Sequence, residues 1–248
     1  MKSTCIMAGL MVAVFGLFPL RASTQDEVAF HRANTTFLER KYPEATREYE
    51  ALAVQKPFSA SLLYNLANTY YHQRKIGPAI LNYERALWLD PRDPDIGANL
   101  RFVRNASGLF EPARTLWQQV TAHLTLNMWT GVSLVCLVLF CASLMVRILK
   151  LDGKWSARPL VLVSALALIL TVLATAMRAA ELCRGVVVAA DAPLRVAPLD
   201  SSPSSFNLTA GSTVRIEKQR KPFLFIHTED GRAGWVSDEQ VKYVVPRI

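Results

Sequence analysis

The chain reads as a multidomain membrane protein: an all-α repeat solenoid, then a two-helix transmembrane hairpin, then a small all-β barrel. Three observations point there. A 34-residue period runs through the first hundred residues, two charge-free apolar blocks follow, and β-branched residues at period two fill the last sixty. Of the 248 residues, 51% are hydrophobic and 19% charged, against about 25% charged in ordinary soluble domains. The excess is gathered in residues 3–20, 115–146 and 159–177. This composition excludes a disordered chain, a collagen-like repeat and a disulfide scaffold.

Met1-Lys2 and the apolar run 5–20 have the form of a secretory signal peptide over residues 1–22, cleaved near Ala22. An uncleaved anchor is the competing reading. Pro19 interrupts the run near its end, and Cys5 lies too early to be a lipid-modified cleavage cysteine.

Residues 23–106 carry the period. At an offset of 34, Ala33 matches Ala67, Asn34 matches Asn68, Ala45 matches Ala79, Tyr49 matches Tyr83, Glu50 matches Glu84 and Pro57 matches Pro91. These are helical-hairpin units over 26–59 and 60–93, with a capping helix over 95–104 that places Ile96, Leu100 and Val103 on one face. Ala67 and Ala79 are small where the two helices of a unit cross, and Pro91 stops the second helix. The set Leu63, Leu66, Ala67, Tyr70, Ala79, Tyr83, Ala86 and Pro91 resembles the tetratricopeptide repeat family, whose period is 34. The first copy departs from it at Thr36 and Leu52. The resemblance implies a concave groove lined by the first helix of each unit, here Asn34, Phe37, Tyr64, Asn65, Asn68, Tyr71 and Asn99. Recurring asparagines suit the clamping of an extended peptide backbone, and they equally suit contacts to a neighbouring helix. The family's clamp for carboxyl-terminal peptides needs basic residues that this groove does not offer.

Residues 113–127 place Leu116, Trp117, Val120 and Leu124 at helical spacing, as an interfacial helix running on into the membrane. Residues 128–146 and 159–177 contain no charge. Each is long enough for a helix that crosses a hydrocarbon core of about 30 Å. The net charge of +8 forms no dense basic stripe of the kind nucleic acid requires. Its sharpest surplus is the loop 147–158, where Arg147, Lys150, Lys154 and Arg158 face only Asp152. That surplus keeps the loop cytoplasmic and sends both flanking modules outside the cytoplasm, the periplasm in a Gram-negative cell. The expected location is the bacterial inner membrane with two spans.

From Gly185 the pattern turns to short strands, Val186–Val188, Thr213–Ile216 and Phe223–His227, with turns at Ala210-Gly211 and Asp230-Gly231. Leu194-Arg195 with Pro198, Leu208–Ser212, and Gly231-Arg232-Ala233-Gly234-Trp235-Val236 resemble bacterial SH3 domains, giving a domain over 185–248. The resemblance implies a module that binds cell-wall peptides or proteins. Phe223 and Trp235 form its candidate ligand face, although Trp235 also suits the barrel's interior.

No catalytic constellation, phosphate loop or dinucleotide fingerprint is present, and no cofactor or metal is expected. His31, His72, His123 and His227 are scattered, and Cys136, Cys141 and Cys183 have neither disulfide nor metal spacing. An enzyme is not expected. The whole order of segments, with Asn99-Leu100-Arg101-Phe102 after the last repeat, is similar to the BatE family of bacterial aerotolerance (Bat) operons. That resemblance implies a protein-binding scaffold of the envelope working with von Willebrand A-type membrane proteins and a MoxR-type ATPase in stress tolerance. A cell-wall sensor or tether that binds peptidoglycan through the SH3 domain is the alternative.

Overall fold

The computed structural model describes residues 24–55, 59–109, 116–149 and 158–245. The signal-peptide segment 1–22 lies outside the described residues, as does most of the loop 147–158. Five helices come first: α1 (Thr24–Leu38), α2 (Tyr42–Gln55), α3 (Ala60–His72), α4 (Ile76–Leu89) and α5 (Pro94–Ala106). The first four pair as two hairpins, and α5 is a helix over the 95–104 stretch, with one residue more at its start and two at its end. Asp93 begins α5 by accepting from the backbone N–H groups of Asp95 and Ile96 at 2.9 and 3.1 Å, with Pro94 in the first turn, where a missing donor costs nothing.

The 34-residue period is legible in the backbone as well. Arg40 and Arg74 both adopt positive φ, 61° and 63°, at the ends of α1 and α3. In each case the next N–H reaches back to close the helix: Lys41 to Thr36 O at 3.1 Å, and Lys75 to Tyr70 O at 3.0 Å. Ala33, Ala45, Ala67 and Ala79 are fully buried, so the helices cross closely at all four positions. Tyr49 and Tyr83 are each 1% exposed and fill the space beside them. Thr36 and Leu52 do not break the first unit: Thr36 bonds its own helix at Arg32 O, and Leu52 is buried.

The next segment is α6 (Leu116–Ala122), α7 (Leu126–Ile148) and α8 (Arg158–Ala180). Helices α7 and α8 are long and apolar enough to cross a membrane, each a little longer than the charge-free block that forms it. They run antiparallel, since Ser133 meets Thr175 at 3.1 Å and Ser143 meets Ser164 at 3.0 Å. Small and hydroxyl side chains such as Ser143 and Ala174 line their contact, while Leu134, Leu162 and Val163 stand exposed on the outer surface. The interfacial helix does not continue into α7 as the spacing suggests. It ends at Ala122, and Thr125 opens a new helix by accepting from Met128 N–H. A threonine in extended conformation at that position supplies its own cap and stops the continuous helix.

The last segment is an antiparallel sheet of β1 (Arg184–Val187), β2 (Ala192–Arg195), β3 (Ser204–Leu208), β4 (Thr213–Arg220), β5 (Phe223–Thr228), β6 (Ala233–Ser237) and β7 (Val241–Tyr243), in the order β3-β2-β6-β5-β4-β1-β7. Alternation sets its inner face: Leu194, Ile216, Leu224, Ile226 and Val236 are buried together.

The repeats and the sheet share one core, which the sequence patterns do not announce. Val186 and Val244 pack in the same cluster as Leu63, Ile80 and Tyr83. Helix α4 is the hub. Its Arg85 donates to the carbonyls of Val244 and Tyr243 at 3.3 and 3.0 Å. Its Glu84, 4% exposed, accepts from Arg104 of α5 at 2.6 Å and Arg184 of β1 at 3.2 Å. Arg104 also donates to Thr213 at 3.0 Å. At the far end of α4, the Arg178 guanidinium of α8 lies 4.1 Å from the centre of the Trp88 ring. Repeats, sheet and apolar hairpin are thereby joined through one helix.

Candidate functional site

The groove residues come together on α1, α3 and α5, and they do so through a repeated polar rung. Tyr49 Oη donates to Asn34 Oδ1 at 2.6 Å, and Asn65 Nδ2 donates to the same oxygen at 3.0 Å. One period later, Tyr83 Oη donates to Asn68 Oδ1, and Asn99 Nδ2 points to it at 3.4 Å. Asn99 Nδ2 also reaches the Tyr64 hydroxyl at 2.8 Å. The four asparagines therefore link neighbouring helices, and the rungs set their orientation. Burial pushes the Tyr49 phenol up to about 12, and it raises Tyr83 as well. Both phenols donate to an asparagine Oδ1, and Nδ2 of Asn34 and of Asn68 donates to no other described residue.

The rings form two clusters. Tyr42 stacks on His72 with centroids 4.7 Å apart, and Phe37 stands edge-on to both at 5.5 Å. Tyr71 meets Phe102 at 5.9 Å, and Phe102 is 60% exposed. Tyr42, His72 and Phe102 are not among the groove residues that the sequence predicts. The signal was available for Phe102, which stands 34 residues after Asn68. Tyr49 and Tyr83 likewise share the period of the asparagines they bind.

The sheet rearranges its candidate face. Phe223 is buried at 5% exposure, and its strand partner is Ser237. The ring that meets Trp235 is Phe225, its register partner, with centroids 5.2 Å apart. Phe223, Phe225 and His227 all alternate away from the inner residues Leu224 and Ile226, so the pairing with Trp235 is decided by register rather than by side. Trp235 is half-buried on this outer face, and its neighbour Val236 is the core residue. His227 lies edge-on to Phe225 at 5.5 Å and meets Glu217 at 2.7 Å. That hydrogen bond holds the Glu217 carboxyl below the usual carboxylate range.

Among the described residues no group of three or more His, Cys, Asp or Glu side chains could hold a metal ion. What these residues present is amides and aromatic rings, of which Phe102 and His72 are exposed.

No curated protein matches the chain. A family model described as Tetratricopeptide repeat matches residues 60–93, which are α3 and α4 with the turns that bound them. That stretch is a tetratricopeptide repeat, a module that typically binds proteins and does not catalyse, and it suggests a role in protein–protein interaction.

Proposed function

We propose that the chain is a membrane-anchored adaptor of the bacterial cell envelope, BatE-like in plan, whose repeat groove holds an extended segment of a partner protein. One observation carries this reading: Nδ2 of Asn34 and of Asn68 donates to no other described residue, and the rings of Phe37, Tyr71 and the exposed Phe102 stand on the same three helices, α1, α3 and α5. Asn34, Phe37, Tyr64, Asn65, Asn68, Tyr71 and Asn99 are the groove. Asn34, Asn65, Asn68 and Asn99 hold it in shape, and the rings with the free Nδ2 groups meet the ligand.

The reading includes a cytoplasmic-membrane anchor, with the repeats and the sheet both outside the cytoplasm. A shared core supports it, because two modules packed through Val186, Val244 and Ile80 must lie on one side of any bilayer that α7 and α8 cross. The surplus of Arg and Lys in 147–158 then assigns the bend to the cytoplasm. Partners of the von Willebrand A type and a MoxR-type ATPase, acting in envelope or oxidative stress tolerance, are what the BatE resemblance adds. The test is purification of the full chain from its native membrane, with and without Tyr71→Ala and Phe102→Ala. The reading expects von Willebrand A-type proteins with the wild type and their loss with the variants. Partners retained by both variants contradict a role for the groove.

A second reading, a cell-wall tether acting through an SH3-like sheet, is favoured by the outward Phe225–Trp235 pair. Retention of the full chain on purified wall sacculi, lost in Trp235→Ala, would support it. Absence of retention removes it.

A further inference from the structure

Resting on the groove as a peptide site, we infer that its ligand is an uncharged, proline-rich segment in the polyproline II conformation. Two asparagines among the groove residues have donors to spare. Asn34 Oδ1 is taken by Tyr49 and Asn65, and Asn68 Oδ1 by Tyr83 and Asn99. Neither Nδ2 group donates to another described residue. A proline-rich segment has carbonyls to accept these N–H groups, none of them used within its own helix, and few N–H groups of its own to satisfy. The Oδ1 atoms of Asn65 and Asn99 suit the N–H of a non-proline residue in each turn.

Spacing separates this conformation from a strand. The 3.0 Å contact between Asn65 and Asn34 means that α1 and α3 pack directly, which puts their axes about 8–10 Å apart. Asn34 and Asn68 hold the same position in their units, so their free donors recur at that interval. A polyproline II helix returns to the same face after three residues, about 9.3 Å. A strand returns after two, about 6.7 Å, and would present its second carbonyl short of the second donor.

The rings complete the match. One cluster, Phe37, Tyr42 and His72, joins the first unit to α3, and Tyr71 with Phe102 joins α3 to α5. Aromatic-lined grooves take prolines because the preformed helix loses little entropy on docking. None of the amide or ring residues named is an acid, a lysine or an arginine, which favours neutral segments over charged termini.

The experiment uses the full chain in nanodiscs and fluorescence anisotropy with two labelled peptides, one of repeated Ala-Pro-Pro and one of alternating Thr-Val. Saturable binding of the Ala-Pro-Pro peptide is expected, at least tenfold tighter than the other. Loss of one ring in Phe102→Ala or His72→Ala should weaken it up to about tenfold. Both side chains are exposed, so the variants should melt like the wild type. Equal or tighter binding of the Thr-Val peptide overturns the ligand class and leaves the groove standing. No binding of the Ala-Pro-Pro peptide, or binding indifferent to both substitutions, also overturns it. The adaptor reading fails separately, through partners that ignore the groove variants.

Discussion

Replacing Gly77 by alanine separates a shared core from two modules that merely share a chain. Gly77 lies in the first turn of α4, and a Cβ there would stand 2.6 Å from the Val187 carbonyl oxygen, 2.7 Å from that of Val188 and 2.8 Å from the Val188 Cα. Comfortable non-bonded contact begins near about 3.5 Å, so helix and sheet must part by close to an ångström. The opposing atoms are backbone and cannot rotate away. Overpacking of this kind costs about 1–3 kcal/mol, in the upper half where nothing yields. Better helix propensity returns at most about 1 kcal/mol. The net loss is about 1–2 kcal/mol, or about 2–8 °C in melting midpoint for a chain of this size. Gly97, inside α5, is the control. Its Cβ would meet only the end of the Arg101 side chain at 3.4 Å, and Gly97→Ala should stabilise by about 0.5–1 kcal/mol. Thermal melting of the full chain in one detergent reads both. If Gly77→Ala melts at or above the wild type, α4 does not rest on the sheet.

Other perturbations probe the same joints. Glu84→Gln leaves Arg104 and Arg184 facing a neutral amide in a buried site, and breaking such a group costs about 3–5 kcal/mol; a denaturant midpoint within error of wild type would contradict the geometry of the hub. Asn68→Ala strips the buried Tyr83 hydroxyl of its acceptor at about 1–3 kcal/mol, whereas Phe102→Ala, on an exposed ring, should stay within about 0.5 kcal/mol; equal melting of the two would refute the division between rung and ligand surface. In alkaline solution the folded Tyr49 phenol, pushed up to about 12, should resist ionisation. A raised folded value means that its contribution is complete below the unfolded value near about 10 and disappears as pH climbs through the folded one. An ultraviolet titration should therefore show a late fraction, from Tyr49, Tyr70 and Tyr83, that ionises together with unfolding, and the absence of any late fraction would contradict their burial.

The repeats were legible because one period governs them at every level. Alanines at crossings, tyrosines beside them and even the positive-φ arginines recur at 34 residues, and Pro94 and Asp93 mark the start of α5 by their own chemistry. The apolar helices were legible from composition, within two or three residues at each end. The destination of the asparagines was not settled by their period, since a clamp and a rung require the same recurrence. Tyr49 and Tyr83 carried the missing signal, because a buried phenol must find an acceptor. On the sheet, Phe223 and Phe225 are indistinguishable by alternation, and only the register with β6 separates them. The shared core joins residues a hundred or more positions apart, Ile80 with Val186 and Glu84 with Arg184. Local patterns are silent about such pairs.

The account stands on the repeats and the sheet lying together on the non-cytoplasmic side of the membrane. Single cysteines at Asn105, Lys242 and Lys154, placed in a chain whose native cysteines are replaced by serine, can be probed in intact spheroplasts with a membrane-impermeant maleimide. The account predicts labelling at 105 and 242 without permeabilisation, and at 154 only after it. Labelling at 154 in intact cells, or protection of either of the other two until the membrane is opened, would contradict it.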